Sequence, residues 1–380
     1  MNAPTALPTT GRAEQWSTRL SFLLLGLSAG AWAPLVPFAK ERLGAGDALL
    51  GMLLLCIGIG SLLTMPLTGS VVARFGCKRV IIVASIVLAA AVPPLAYASS
   101  PVTLAIALAV FGAALGANDV AMNVQAVQVE KDAGRPLMSG FHGQWSAGGI
   151  LGPAVVTGML WLGATPFVAA LAVSAVLAVL LAVAAPSLIP FASRDGGGHG
   201  FVRPRGFIVW IGILCGIIFL TEGVVLDWSA LFLRERGMDP ATAGLGFAAF
   251  SAAMTICRLL GDKVVARLGG PRILLFGGLL VAAGYTLAVT IPWPPAIVAA
   301  LVLIGIGASN IVPVLFTAAG RQKVMPQGPA IAAVTTIAYA GILLGPAMVG
   351  FVAEATSLGT AFMGIAALMA FIVGSARLFR

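Results

Sequence analysis

Long apolar runs follow one another along the chain with only short polar breaks between them. Twelve are expected to be helices, at about 18–39, 48–72, 79–98, 101–127, 138–162, 165–185, 207–232, 241–266, 272–291, 295–319, 328–352 and 358–377. Each has close to the ~20 residues that a helix needs to cross a hydrocarbon layer. None breaks into the segments of about ten alternating residues that mark a spanning β-strand. The pattern therefore predicts an all-α polytopic membrane protein with twelve transmembrane helices. The first 17 residues are polar and rich in Pro and Thr, and the run after them is long enough to span, which argues against a cleaved signal peptide.

Composition agrees. The chain is 59% hydrophobic and 9% charged, where a soluble domain is about a quarter charged. The net charge of +9 would suit nucleic acid if it formed a patch, but it is distributed by face. With the N-terminus inside, 17 of the 22 Lys and Arg fall in inside segments and four (Lys40, Arg42, Arg234, Arg236) outside, while Arg258 lies within a span. That asymmetry orients a helical membrane protein. It predicts both termini in the cytoplasm, a place in the cell inner membrane with the lipid bilayer as partner, and no nucleic-acid role. The four Cys, at 56, 77, 215 and 257, form no CxxC, and His142 and His199 are far apart. No metal site, disulfide or cofactor is expected.

The halves repeat. "VVARFGCKR" at 71–79 returns as "VVARLGGPR" at 264–272, six of nine letters identical at an offset of 193. The same offset pairs Gly30 with Gly223, Gly44 with Gly237, Gly51 with Gly244, and "AGxxLGPA" at 147–154 with 340–347. The domain plan is a tail at 1–17, a six-helix bundle at 18–185, a Gly-rich basic linker at 186–206 and a second bundle at 207–380. Six spans per copy give the copies the same orientation, so the repeat is parallel, a build common among secondary transporters with the substrate site between the halves.

Twelve spans in 6+6 form with "GSVVARFGCKR" after the second resemble the major facilitator superfamily. Its motif in that loop is matched by Gly69, Arg74, Gly76, Lys78 and Arg79, and its C-terminal copy by Arg267, Gly269 and Arg272. Ala73 stands where the family usually has Asp, an acid thought to latch the loop to a neighbouring helix. Arg258 and Asp262 are four apart and share a helix face; as a pair they are the expected latch in the second half. "GANDVAMNVQAVQVEKDAGRPLMSGFHGQWSAGG" at 116–149 and "EGVVLDWSALFLRERG" at 222–237 resemble the bacterial sugar-permease-like, fucose-permease-type branch. That branch uses acids on its first and fourth spans for proton coupling. Here the fourth span has one and the first has none between Arg19 and Lys40.

Ionisable groups inside a span cost roughly 2.5–3.5 kcal/mol each at the helix centre, so each is a functional candidate. Asp119 lies near the middle of the fourth span, with Asn123 one turn on and Asn118 adjacent. Glu222 lies midway along the seventh. These two acids are expected to couple protons or touch a polar cargo. The further path candidates are Trp32, Asn118, Asn123, His142, Asp227, Trp228 and Asn310. The resemblance implies that the first, fourth, seventh and tenth spans line the path. Gly148, Gly152 and Pro153, with Gly341, Gly345 and Pro346, read as close helix packing and bending rather than an antiport signature, since Val156 and Thr157 stand where that longer motif has Gly-Gly.

The expected function is a secondary active transporter that moves a small polar organic solute by alternating access, as a proton-coupled symporter and a monomer. A proton-driven efflux antiporter for amphipathic compounds is the second reading, and a non-transporting membrane sensor a remote third. No enzyme is expected: HExxH, GxSxG and metal-ligand clusters are missing from the sequence.

Overall fold

The computed structural model describes residues 11–190, 203–239 and 242–379, without the side chains at 47, 48 and 346. Among these residues every regular element is helical. The first span, Arg12–Leu43, is broken by a 3-10 turn at Ala33–Leu35. Next come Asp47–Phe75, Cys77–Tyr97, Pro101–Ala133, Met138–Trp161 and Pro166–Ala184. The second half holds Phe207–Glu235, Leu245–Leu268 and Gly270–Thr290, then a tenth span in two pieces, Pro294–Ala308 and Ile311–Arg321. Gln327–Ala355 and Leu358–Ser375 complete the twelve. Eleven are both long and apolar enough to cross a membrane. The fifth has the length, but its Gly, Ser, His and Gln dilute its apolar content. The central stretch of the expected linker, 191–202, lies outside the described residues and carries Arg194 and His199 with it; the side chain of Pro346 does too.

Local chemistry sets the helix starts. Ser100, Thr165 and Ser357 accept from the backbone N–H three residues on, which satisfies a donor the helix cannot. Pro101, Pro166 and Pro294 stand where a missing N–H costs nothing. The fourth span runs six residues past its expected end, to Ala133.

Within each half, small residues let helices touch backbone to backbone. Gly148 and Gly152 of the fifth span lie against the Leu23 and Leu27 carbonyls of the first, and Pro153 against Gly30. Gly341 and Gly345 of the eleventh lie against Gly216 and Leu220 of the seventh. The basic loops turn through Gly76 (φ 84°) and Gly269 (φ 76°), a backbone conformation that favours glycine.

The two halves meet along two seams: the second span on the eleventh, and the fifth on the eighth. Each described hydrogen bond that joins one half to the other lies between the bundle's middle and the face carrying the basic loops.

Candidate functional site

The tenth span supplies the starting point. Pro313 has no N–H, so the Ser309 carbonyl four residues earlier loses its helical donor. The helix breaks there, between Ala308 and Ile311. Arg258 of the eighth span fills the gap, its Nε donating to Ser309 O at 3.1 Å. The same guanidinium donates from Nη2 to Glu222 Oε1 at 2.7 Å and from Nη1 to Ser146 Oγ at 2.9 Å. Arg258 is 2% exposed. One buried cation thus ties the seventh and tenth spans of its own half to the fifth span of the other. Its planar fork of five donors suits a junction of three acceptors.

Arg258 and Asp262 bond not to each other but each to the fifth span, Arg258 at Ser146 and Asp262 at Gly140. The two side chains share a helix face, but each finds a better partner. Asp262 Oδ1 accepts from the Gly140 backbone N–H at 2.8 Å, at the N-terminus of the fifth span, where unpaired N–H groups and the helix dipole favour an anion. Gly140 leaves room for that carboxylate; a Cβ there would lie 2.5 Å from Asp262 Oδ2.

Glu130 is a further buried acid at the junction of the halves, one that no motif in the sequence singles out. In the sequence it stands in a polar run with Lys131 and Asp132, yet it is buried while those two are exposed. Its Oε2 accepts from the Leu137 and Met138 N–H groups at 2.8 Å each, and its Oε1 from the Thr317 hydroxyl of the other half at 2.6 Å. Two carboxylates, one from each half, therefore cap the start of the fifth span. The signal lay in the helix period: Glu130 falls seven residues after Asn123 and continues the stripe of Asp119 and Asn123.

Asp119 is buried on the fourth span. Its described side-chain partner is the Asn123 amide, which donates to Asp119 Oδ1 at 3.3 Å and to its carbonyl at 2.9 Å. Tyr339 of the eleventh span lies within electrostatic range, across the boundary between halves. No described cation pairs with it. His142 is wedged between Phe22 of the first span (ring centroids 5.3 Å) and Phe316 of the tenth (5.6 Å), so one aromatic from each half holds it. His142 Nε2, Asn123 Oδ1, Trp32 Nε1 and Asn310 Oδ1 are buried without a protein partner.

Other candidates fall elsewhere. Asn118 donates to Ser85 Oγ of the third span at 2.9 Å. One residue from Asp119 is about 100° round a helix, so Asn118 packs inside its own half rather than on the path. Asn310 sits at the helix break, donating to Ser309 Oγ and the Cys257 carbonyl with its Oδ1 against Gly261. Trp228 packs near Gly350 toward the outer end of the second half, and Asp227 is exposed. In the first basic loop Lys78 donates to the Pro186 carbonyl at 3.1 Å, and Arg74 lies over Phe75. Arg267 is exposed.

Comparison with known proteins settles the family. The sequence matches the family model of the Major Facilitator Superfamily over residues 20–239 and 213–380. The chain belongs to the major facilitator superfamily. This transporter is 52% identical over 368 residues to an uncharacterized MFS-type transporter of Yersinia pestis, covering 97% of this chain and 96% of that one. Among solved structures, FucP in the outward conformation superposes with a TM-score of 0.79 at 15% identity, covering 96% of this chain and 98% of that one. A second structure of the E. coli fucose:proton symporter FucP gives 0.75 at 16%, with 96% and 98% covered. The transporter is thus a multi-pass membrane protein of two repeated six-helix halves, and its family consists of transporters rather than enzymes.

Proposed function

We propose that this transporter is a monomeric proton-coupled symporter of the inner membrane, with both termini cytoplasmic, carrying a small polar organic solute. The observation that carries this reading is Asp119: a buried carboxyl in mid-membrane with an amide beside it and no cation paired to it among the described residues. Isolated charge is expensive in that position, and the cost falls when a proton or a polar cargo meets the acid. Glu222 is the complement. Its cation, Arg258, is held at the same time by Ser146 of the other half. A proton or cargo that loosens Arg258 from Glu222 also loosens a bond between the halves, which joins occupancy to rocking. Partnerless polar atoms on the first, fourth and fifth spans, Trp32 Nε1, Asn123 Oδ1 and His142 Nε2, offer hydrogen bonds to a hydroxylated or amide-bearing solute. They favour this reading over efflux of amphipathic compounds. The cross-half bonds gathered on the basic side fasten the two halves at that face.

The test is dye-reported proton movement into proteoliposomes as sugars, organic acids and amino acids are added in turn at two external pH values. At least one solute should draw protons inward. The Asp119→Asn protein should insert normally and show no gradient-driven accumulation of that solute. Accumulation at the unmodified rate in Asp119→Asn would remove Asp119 from the mechanism.

A further inference from the structure

The repeated basic phrase puts an arginine at the same repeat position in each half, Arg79 and Arg272. Topology alone asks only that these charges stay on their side of the membrane. The structure places each at the rim of a concavity. Arg79 borders a groove of about 650 Å³ between the second and third spans. Leu67, Val71 and Phe75 form one wall, and Val80, Val83 and Val87 the other. The floor is the fourth span, where Ala113, Ala114 and Ala117 give the groove its depth. Two hydroxyls also line it, but Thr64 and Thr68 spend theirs on backbone carbonyls. The groove is therefore hydrocarbon in character, with one cation at its mouth. From Arg79 to Val87 it runs about 12 Å along the helix, close to the roughly 15 Å depth of one leaflet.

Arg79 is exposed and has no described hydrogen bond or ion pair, while its neighbour Lys78 is turned inward onto Pro186. In the second half, Arg272 lines a concavity of about 400 Å³ with Leu268, Pro271, Leu275, Ala376 and Arg377. Two arginines border it and no acid does. Both sites lie at the face that holds most of the chain's positive charge, where anionic lipid headgroups attract Lys and Arg.

We propose that an anionic phospholipid of the leaflet at the basic face occupies the first groove, its phosphate on Arg79 and an acyl chain between the second and third spans, and that Arg272 with Arg377 holds a second such headgroup. The paired positions make lipid recognition a property of the repeated unit, independent of which solute is carried.

Native mass spectrometry of the full chain, released from a non-ionic detergent with added palmitoyl-oleoyl phosphatidylglycerol or phosphatidylcholine, tests this. The unmodified protein should retain two phosphatidylglycerol molecules and prefer them to phosphatidylcholine by about fivefold per arginine, the value of one cation at an anionic surface. Arg79→Gln should lose one of the two, the double variant Arg272→Gln/Arg377→Gln the other, and Arg79→Lys should keep most of its binding. Ala117→Leu, which raises the groove floor, should weaken lipid retention at the first site. Thermal unfolding of each variant checks its fold. Equal retention of the two lipids by the unmodified protein would overturn the proposal without any variant. So would unchanged phosphatidylglycerol retention in folded Arg79→Gln, or full displacement of the lipid by an equal concentration of glycerol phosphate, which would mark a free-phosphate site instead.

Discussion

The two seams between the halves are related by the repeat, yet they are built differently. Where the second span meets the eleventh, contact is made by absence of side chain. A Cβ on Gly69 would fall 2.8 Å from the Gly328 carbonyl oxygen, and Gly58 lies under Leu343. Where the eighth meets the fifth, the repeat position of Gly69 is Asp262, which bonds the Gly140 N–H, and one turn earlier Arg258 reaches Ser146. The first seam closes by shape, while the second closes by shape as well, Gly143 lying against Leu259 and Gly261 against Ser139, and adds charge. Shape complementarity carries no chemical switch, because nothing in it can be protonated or displaced. The polar seam runs directly into Glu222, so a chemical event at the site can be felt there. The difference suggests a division of labour in which one seam acts as a plain hinge surface and the other reads the site.

The strongest way to break this comparison is Arg258→Met. It strands Glu222 without its cation and removes three hydrogen bonds. Breaking a buried pair by removing one partner costs about 3–5 kcal/mol. A large drop in apparent thermal stability is expected in detergent, with part of it recovered in Arg258→Met/Glu222→Gln, where no lone charge remains. Equal loss in the single and double variants would show that the pair does not act as a unit.

Next come substitutions that attack one seam each. Gly69→Val should hold the second and eleventh spans apart at a cost of about 1–3 kcal/mol, the usual penalty for overpacking. Asp262→Ala should cost a similar amount, about 1.5–3 kcal/mol, by removing a charged acceptor from a helix N-terminus. Spin-label distances between the basic ends of the two halves should lengthen in both. The comparison is sharpened by proton-driven transport. Asp262→Ala should alter its dependence on pH, whereas Gly69→Val should change only its rate.

How much of this was legible beforehand depended on whether the signal was local. Twelve spans follow from apolar run length and the repeated halves from the 193-residue offset, and the structure agrees with both. Asp119 and Glu222 stood out because embedded acids are rare. Asn123, the partner of Asp119, stood out with it as the residue one turn on, but the partner of Glu222 did not. Arg258 and Asp262 sit four residues apart and look like a pair, but Glu222 is 36 residues away and Gly140 is 122. A tertiary contact outcompeted the local one in each case. Pro313 was the available hint, since it frees the Ser309 carbonyl that Arg258 takes. Asn118 was misplaced by adjacency: sharing a sequence neighbourhood with Asp119 puts it on a different helix face. Glu130 was hidden in a charged triplet whose other members are exposed.

Ser146→Ala is a milder probe of the polar seam. It removes one neutral hydroxyl from Arg258 and leaves the Glu222 pair in place, so stability should fall by about 0.5–1.5 kcal/mol. Its value lies in the readout. Transport with the variant should show weaker coupling between proton movement and solute movement, measured as the ratio of the two fluxes, because the bond that carries information between the halves is gone while the acid and its cation remain.

The smallest effect is expected from Ala73→Asp, which restores the acid that the family usually carries in the first basic loop. In the second copy the equivalent position is also alanine, Ala266, and the seam acid stands four residues earlier as Asp262. The first seam has no such acid and is already closed by Gly69 on Gly328. An added carboxylate has nothing left to fasten there, so the change should stay within about 0.5 kcal/mol, the range of a substitution that touches no special feature. Thermal unfolding and the spin-label distances should match the unmodified protein. A clear stabilisation with a shorter second-to-eleventh distance would instead show that the glycine seam is only half closed, and that both seams are fastened by charge when charge is offered.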